Sequence, residues 1–141
     1  MKNFIFFITI LITLCSCERN EIEVSNSIIG EWKLVKAEQY GINSLGNSEL
    51  YITDYTSQNV IYSFQTNNFL KISGGENIGY SNGEFSYEFK KGYLSDFPMG
   101  EDSKLDLVII HSTKWIFNYS KFQMTLNNSY IDGPTLTFEK K

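Results

Sequence analysis

The sequence predicts an all-β fold, an antiparallel up-and-down β-barrel of about eight strands. Three observations support this prediction. Short segments after residue 27 alternate apolar and polar residues, which is the period of a strand with one buried face. Asparagine, glycine and aspartate separate these segments, as in the turns of antiparallel sheets. Aromatic residues make up 16% of the chain, with 11 Phe and 9 Tyr, and they favour strands over helices.

The first strand is predicted over residues 28–39. Trp32 and Leu34 share one face of this strand, while Glu31 and Lys33 share the other, so the strand has an inside and an outside. Residues 40–58 are rich in glycine and asparagine and have no sharp period. We expect a long loop there, or a lid over one end of the fold, with at most a short strand at 50–53.

The remaining strands follow in a regular rhythm. Glu84 to Phe89 alternates without a fault, and Asn82-Gly83 before it is a strong turn signal. A barrel is favoured over a sandwich because closure removes the exposed edges of so many apolar strands. An irregular loop is expected at 95–104. The predicted strands are 60–64, 69–72, 84–89, 105–111, 114–119, 121–127 and 135–139.

The N-terminus has the three parts of a bacterial leader. Lys2 gives a positive start, residues 4–14 form an apolar run too short for a comfortable membrane span, and Cys15-Ser16-Cys17 follows. The segment from Leu14 to Cys17 resembles the lipobox of bacterial lipoproteins. The resemblance implies diacylation of Cys17 through its thiol, cleavage before Cys17, and acylation of the new amino terminus. The alternatives are an ordinary secretory signal with two incidental cysteines, or an uncleaved anchor.

This resemblance divides the chain into a signal peptide at 1–16, a lipidated cysteine and polar tether at 17–26, and a barrel domain at 27–141. Acyl chains on Cys17 would anchor the protein in a membrane of the cell envelope, with the outer membrane favoured and its face left open. Both cysteines lie in or at the end of the leader, so the domain has no disulfide. The net charge is −4 and the only arginine is Arg19, so nucleic acid is not expected as a partner.

The barrel segment resembles a known family. Gly30-Glu31-Trp32 on the first strand resembles the Gly-x-Trp signature of lipocalins. The last three strands, 115–119, 122–126 and 136–140, look like those of the short lipocalin-like domains common in Bacteroidetes lipoproteins. The resemblance covers most of 28–141 and implies a lipocalin-like barrel. In larger lipocalins an arginine stacks on the signature tryptophan. Lys140 or Lys141 is the candidate substitute here, although an ammonium cannot stack as a guanidinium plane does.

The inward residues of such a barrel either fill the interior or line a ligand cavity. Because buried tyrosine hydroxyls need partners, a partly wet cavity is one way to supply them. The first hypothesis for function is therefore binding of a small hydrophobic or amphipathic molecule between the inward rings. The candidate ligand-binding residues are Trp32, Tyr62, Phe64, Phe85, Tyr87, Phe89, Trp115, Phe117 and Tyr119.

The alternative hypothesis is a non-catalytic scaffold, a filled barrel whose loops contact a protein or glycan partner. No catalytic residues are identified, because no nucleophile motif frames the serines and Glu84 and Glu88 lie on the polar strand face. His111 is the single histidine and is expected at a strand end on the surface. Asp102 and Asp106 lack the spacing of a calcium loop. No metal site, cofactor or enzyme activity is expected.

Overall fold

The computed structural model describes residues 26–100 and 102–141. The predicted signal peptide and the predicted lipidation site, Cys17, lie outside the described residues. No helix in the described ranges is long and apolar enough to cross a membrane.

Nine antiparallel strands follow one another along the chain, and eight of them close into a barrel. The predicted fold class is therefore confirmed. The seven regular strand predictions after residue 59 each correspond to one observed strand, with ends shifted by at most a few residues. The strands are β1 (Gly30–Ile42), β2 (Ser48–Asp54), β3 (Ile61–Phe64), β4 (Phe69–Ser73), β5 (Gly83–Gly92), β6 (Leu105–Ile110), β7 (Thr113–Ser120), β8 (Gln123–Asn127) and β9 (Thr135–Lys140).

The barrel closes where β1 pairs with β9. The first half of β1 also pairs with β3, and its second half pairs with β2, so β2 and β3 follow each other along the same side of β1. A bulge between Leu34 and Lys36 interrupts the register with β9. Trp32 and Leu34 face the interior before the bulge, and Ala37 faces it after the bulge. From the bulge onward, the odd-numbered residues of β1 therefore face inward.

The core is made mostly of the inward residues of the eight barrel strands, with Ile28, Tyr55 and Val60 added from the segments beside them. In β4, Leu70 and Ile72 are buried while Phe69 and Lys71 are exposed, as the alternation predicts. The largest completely buried side chains come from both halves of the chain. They are Trp32, Tyr62, Phe64, Phe138, Ile28, Leu34, Leu70, Ile72, Leu107, Ile110, Met124 and Leu126.

The expectation of a loop or lid at 40–58 is wrong, although the short strand allowed at 50–53 is present within β2. β1 continues to Ile42, and residues 43–47 form a turn, with the Asn43 N–H donating to the Asn47 carbonyl at 2.9 Å. The chain then returns as β2, all seven residues of which are exposed. A hairpin with both strands in water has no buried face to mark it in the sequence. Hydrogen bonds between its two strands stabilise it instead, together with one from Gln39 Nε2 to the Asp132 carbonyl at 3.1 Å.

Two ends of the barrel can now be defined. The lower end holds the start of β1, the end of β9 and the turns β3–β4, β5–β6 and β7–β8. The upper end holds the connections β1–β2, β4–β5, β6–β7 and β8–β9. His111 lies in the β6–β7 turn, exposed and with φ 61°, so its predicted surface position at a strand end is confirmed.

Gly74 and Gly75 provide a matched pair for testing the backbone at the end of β4. Both have positive φ, 99° and 124°. A Cβ on Gly74 would lie 1.7 Å from the Asn59 carbonyl oxygen, whereas a Cβ on Gly75 would meet nothing within 4 Å. Gly75→Ala is expected to lower the free energy of unfolding by about 1–2 kcal/mol through strain alone. Gly74→Ala should lower it by more than about 3 kcal/mol. Urea unfolding followed by tryptophan fluorescence measures both, and equal losses would contradict the close packing of Gly74 on Asn59.

Candidate functional site

The structure gathers most of the predicted ligand-binding residues inside the barrel. Phe85 and Phe89 are half-buried, and Tyr119, at 42% exposure, lies at the lower rim. The other six are at most 5% exposed: Trp32, Tyr62, Phe64, Tyr87, Trp115 and Phe117. These six residues belong to strands β1, β3, β5 and β7. Every second residue of a strand faces the interior, and this alternation directs their rings inward.

These rings pack against one another. The Tyr62 and Phe138 ring centroids lie 4.8 Å apart, and those of Phe64 and Tyr87 lie 5.0 Å apart in an edge-to-face arrangement. A space large enough for a water molecule would leave accessible surface on the side chains beside it. The exposed fraction is at most 1% for four large side chains, Trp32, Tyr62, Phe64 and Phe138. The interior around these four side chains is therefore filled by protein.

The three tyrosine hydroxyls that favoured a wet cavity all donate to protein atoms. The Tyr62 hydroxyl donates to Asn77 Oδ1 at 2.8 Å, and the Tyr87 hydroxyl donates to the Gln65 carbonyl at 2.8 Å. The Tyr119 hydroxyl donates to the Lys121 carbonyl at 3.3 Å. Burial raises the pKa of Tyr62 and of Tyr87 above the ordinary tyrosine value, since it disfavours the phenolate. Internal water is not needed to satisfy these groups.

Residues 74–82, here called the lid segment, cover the upper end of the barrel. Asn77 organises the lid segment: its Oδ1 accepts hydrogen bonds from the N–H groups of Gly79 and Tyr80 at 2.9 and 3.0 Å, as well as from Tyr62. Its Nδ2 donates to the Tyr80 carbonyl at 2.6 Å. A Cβ on Gly79 would lie 2.7 Å from both Leu136 Cδ1 and the Tyr62 hydroxyl, so the lid segment touches the core directly.

The lid segment also satisfies polar groups at the top of the core. The Tyr80 hydroxyl accepts a hydrogen bond from Trp115 Nε1 at 3.0 Å. The Tyr80 ring centroid lies 5.2 Å from that of Phe85. The Ile78 N–H donates to the Tyr55 hydroxyl at 3.0 Å. Sequence reasoning missed the roles of Asn77 and Tyr80, because a polar, non-periodic segment carries no signal of what it will cover.

The lower end is closed around Trp32. Trp32 Nε1 donates to the carbonyl of Ile28 at 2.7 Å, and Ile28 is completely buried. Lys140 Nζ lies 5.2 Å from the centroid of the Trp32 ring, within the range of a cation–π interaction. Tyr119 meets the same ring edge-to-face at 6.1 Å. Of the two lysines considered as substitutes for the lipocalin arginine, Lys140 lies over the tryptophan, and Lys141 forms an ion pair with Glu31 instead.

A second apolar surface lies outside the barrel. Beyond Glu38, β1 leaves β9 and pairs only with β2. We call residues 39–51 the arm. Tyr40 pairs across the arm with Leu50, and Ile42 lies two residues further along the same face. Because odd-numbered residues face inward after the bulge, this face is the outer one. Tyr40 is 63% exposed and Ile42 is 70% exposed.

The outer face continues below the arm as an open groove of about 570 Å³, lined mostly by polar and charged residues. Ile52 lies in this groove, and so does Lys36, which is paired with Glu38 at 3.1 Å. Thr125 and Thr137 form a cross-strand pair there. The groove connects the apolar face of the arm with the outer surfaces of β8 and β9.

The irregular loop between β5 and β6 carries two more exposed apolar side chains. Phe97 is 87% exposed and Met99 is 81% exposed. Lys114 on β7 holds the start of the loop, donating to Asp96 Oδ1 at 2.6 Å and to the Leu94 carbonyl at 3.0 Å. The Lys114 ammonium lowers the pKa of the Asp96 carboxyl below its ordinary value.

Comparison of the chain with family models, with curated proteins and with solved structures finds no match in any of the three. Function is therefore inferred from the geometry of the filled interior, the lid segment and the arm.

Replacing Asn77 tests the lid segment. Asn77→Ala leaves the buried Tyr62 hydroxyl and two backbone N–H groups without their acceptor, so we expect a loss of about 2–3 kcal/mol in the free energy of unfolding. Asn82→Ala is the matched control, because exposed Asn82 accepts only one long hydrogen bond, 3.3 Å from the Gly75 N–H. It should change stability by less than about 0.5 kcal/mol. Similar losses for the two variants in urea unfolding would contradict the role assigned to Asn77.

Proposed function

We propose that this chain is a lipid-anchored, non-catalytic interaction module of the cell envelope, whose barrel presents the arm to a protein partner. The observation that carries the proposal is the contrast between inside and outside. The rings expected to hold a ligand are packed against each other, whereas the apolar side chains available for recognition lie on the arm. Tyr40, Ile42 and Leu45 are 63%, 70% and 83% exposed.

Several features support the arm as the recognition element. It extends from a closed barrel, so its position is set by a rigid scaffold. Tyr40, Ile42 and Leu50 lie together on its outer face rather than singly, which is typical of protein contact surfaces. Tyrosine contributes much contact area with few rotatable bonds, and both Tyr40 and Tyr51 belong to the arm.

The lipid anchor is proposed from the leader. The spacing of Lys2, the apolar run 4–14 and Cys17 supports it. Acylation at Cys17 would join the membrane to the segment that enters β1, and hence to the lower end of the barrel. The arm rises from the upper end. It would therefore point away from the anchoring membrane, which suits contact with another molecule.

The second candidate is binding of a small hydrophobic or amphipathic molecule. A specific feature of the lower end favours it. Phe89 is half-buried, and its ring centroid lies 5.3 Å from that of Phe117. Tyr119 stacks on Phe117 at 6.3 Å and is 42% exposed. Phe89 and Tyr119 are the members of the predicted binding set that solvent reaches at the lower end, so a ligand there would lie at this rim rather than deep in the barrel.

Native mass spectrometry separates the two candidates. Residues 18–141, purified gently from the host, are expected to have the mass of the polypeptide alone, as one copy or as a pair of copies with nothing added, and to take up no hydrophobic fluorescent probe in a saturable way. The physical reason is that buried rings already occupy the interior. A reproducible added mass that disappears on denaturation would instead establish a bound ligand. If that ligand lies at the lower rim, Tyr119→Ala should then lower the affinity for it.

Metabolic labelling with a clickable fatty acid tests the anchor. The full chain is expected to incorporate label in a bacterial host, and Cys17→Ser is expected to abolish it, because the diacylglycerol group that carries the fatty acids is joined to that sulfur by a thioether. Cys15→Ser is the matched control and should keep the label, since Cys15 would be removed with the signal peptide. Equal labelling of the Cys17→Ser variant and the unchanged chain would contradict the lipoprotein proposal.

A further inference from the structure

β2 is an edge strand with few of the features that protect edges. Among the described strands it pairs only with β1. All seven of its residues are exposed. Exposed edges usually carry lysine, proline or a bulge that prevents another strand from adding to them. β2 has the sequence SELYITD, with neither lysine nor proline, and its register with β1 is unbroken.

Two hydrogen bonds show which backbone groups of β2 point to this open edge. The Asn43 N–H donates to the Asn47 carbonyl, and the Tyr55 N–H donates to the Val35 carbonyl, each at 2.9 Å. In the register of the hairpin, residues 47, 49, 51, 53 and 55 therefore direct their N–H and C=O groups toward β1. The intervening residues direct theirs to the open edge. They are Ser48, Leu50, Ile52 and Asp54.

We propose that β2 pairs antiparallel with β2 of a second copy of this chain, about a two-fold axis that passes beside Tyr51. The proposal deepens and rests on the function proposed above, because it names the partner of the arm. In this register all four outward-directed residues of one copy meet outward-directed residues of the other. The β1–β2 hairpins of the two copies then form one continuous four-stranded sheet with about eight new backbone hydrogen bonds.

The side chains fit this self-pairing. Leu50 of each copy lies opposite Ile52 of the other copy, so the two-fold axis gives two such pairs. These four apolar side chains lie on the outer face, beside Tyr40 and Ile42, so the exposed apolar face of each arm joins that of the other.

The charges fit as well. Glu49 lies opposite Thr53, and Asp54 lies opposite Ser48, so no acid faces an acid directly across the pair. A shift of the register by two residues in either direction leaves one end of β2 without a strand partner. One register is thus favoured by hydrogen bonding, by apolar contact and by charge, and a two-fold pair of this kind is closed and cannot propagate.

Disulfide trapping in the host envelope tests the proposal with the full chain. Tyr51 faces its own copy across the axis in a non-hydrogen-bonded pair, where Cα atoms lie about 4.5 Å apart and a disulfide can form. Tyr51→Cys is expected to give a disulfide-linked dimer under mild oxidation. The unchanged chain, whose sequence has cysteines at Cys15 and Cys17 alone, gives the background.

Two single variants on the same face are the controls. Glu49→Cys and Thr53→Cys would each lie four residues from their own copies, about 13 Å away and beyond the reach of a disulfide. At least tenfold less dimer is expected from each than from Tyr51→Cys. The double variant Glu49→Cys with Thr53→Cys should dimerise again, because these positions lie opposite each other.

A proline variant tests the edge itself. Leu50→Pro removes an N–H that points to the open edge and leaves the hydrogen bonds to β1 in place, so it should abolish trapping when combined with Tyr51→Cys. The proposal is overturned if Tyr51→Cys stays monomeric, if all three single cysteines cross-link equally, or if Tyr51→Cys links only to a different protein. The native mass measurement is independent, so an interior ligand and a failure of self-pairing can be told apart.

Discussion

The pairing of β1 with β9 is the interaction on which the rest of the structure depends. Leu34 lies opposite Phe138, and with this pair the two ends of the sheet meet and the barrel has no open edge in its wall. Closure places every inward side chain in one common interior. Each polar group among those side chains then needs a partner inside the protein, and the two ends of the barrel must be covered.

The two ends of the barrel are closed by chemically different groups. At the lower end, an aliphatic side chain, a backbone carbonyl and an ammonium surround Trp32. At the upper end, the amide of Asn77 collects hydrogen bonds from a core hydroxyl and from its own loop. Both solutions satisfy the polar edge of a large aromatic residue while its ring stays buried. Together they leave the wall of the barrel as a rigid support for whatever projects from it.

Much of the barrel could be predicted from the sequence, because strands with one buried face carry a period of two. Phe85, Tyr87 and Phe89 alternate visibly, and β5 was predicted within three residues of each end. The arm could not be predicted, because a strand exposed on both faces has no such period. The bulge after Leu34 added a second difficulty, since it reverses which residues of β1 face inward without any change in composition. The hydrogen bonds of Asn77 were equally hidden, because they join positions that only the fold brings together.

The closing pair has a consequence for how the chain folds. Residue 34 cannot meet residue 138 until almost the whole polypeptide is present, so the ring forms through contacts between distant parts of the sequence. Barrels dominated by such contacts fold slowly compared with helical domains of the same size. The strand pairing that holds the barrel shut is therefore also the one that joins the most distant parts of the chain, so its formation costs the most loop-closure entropy.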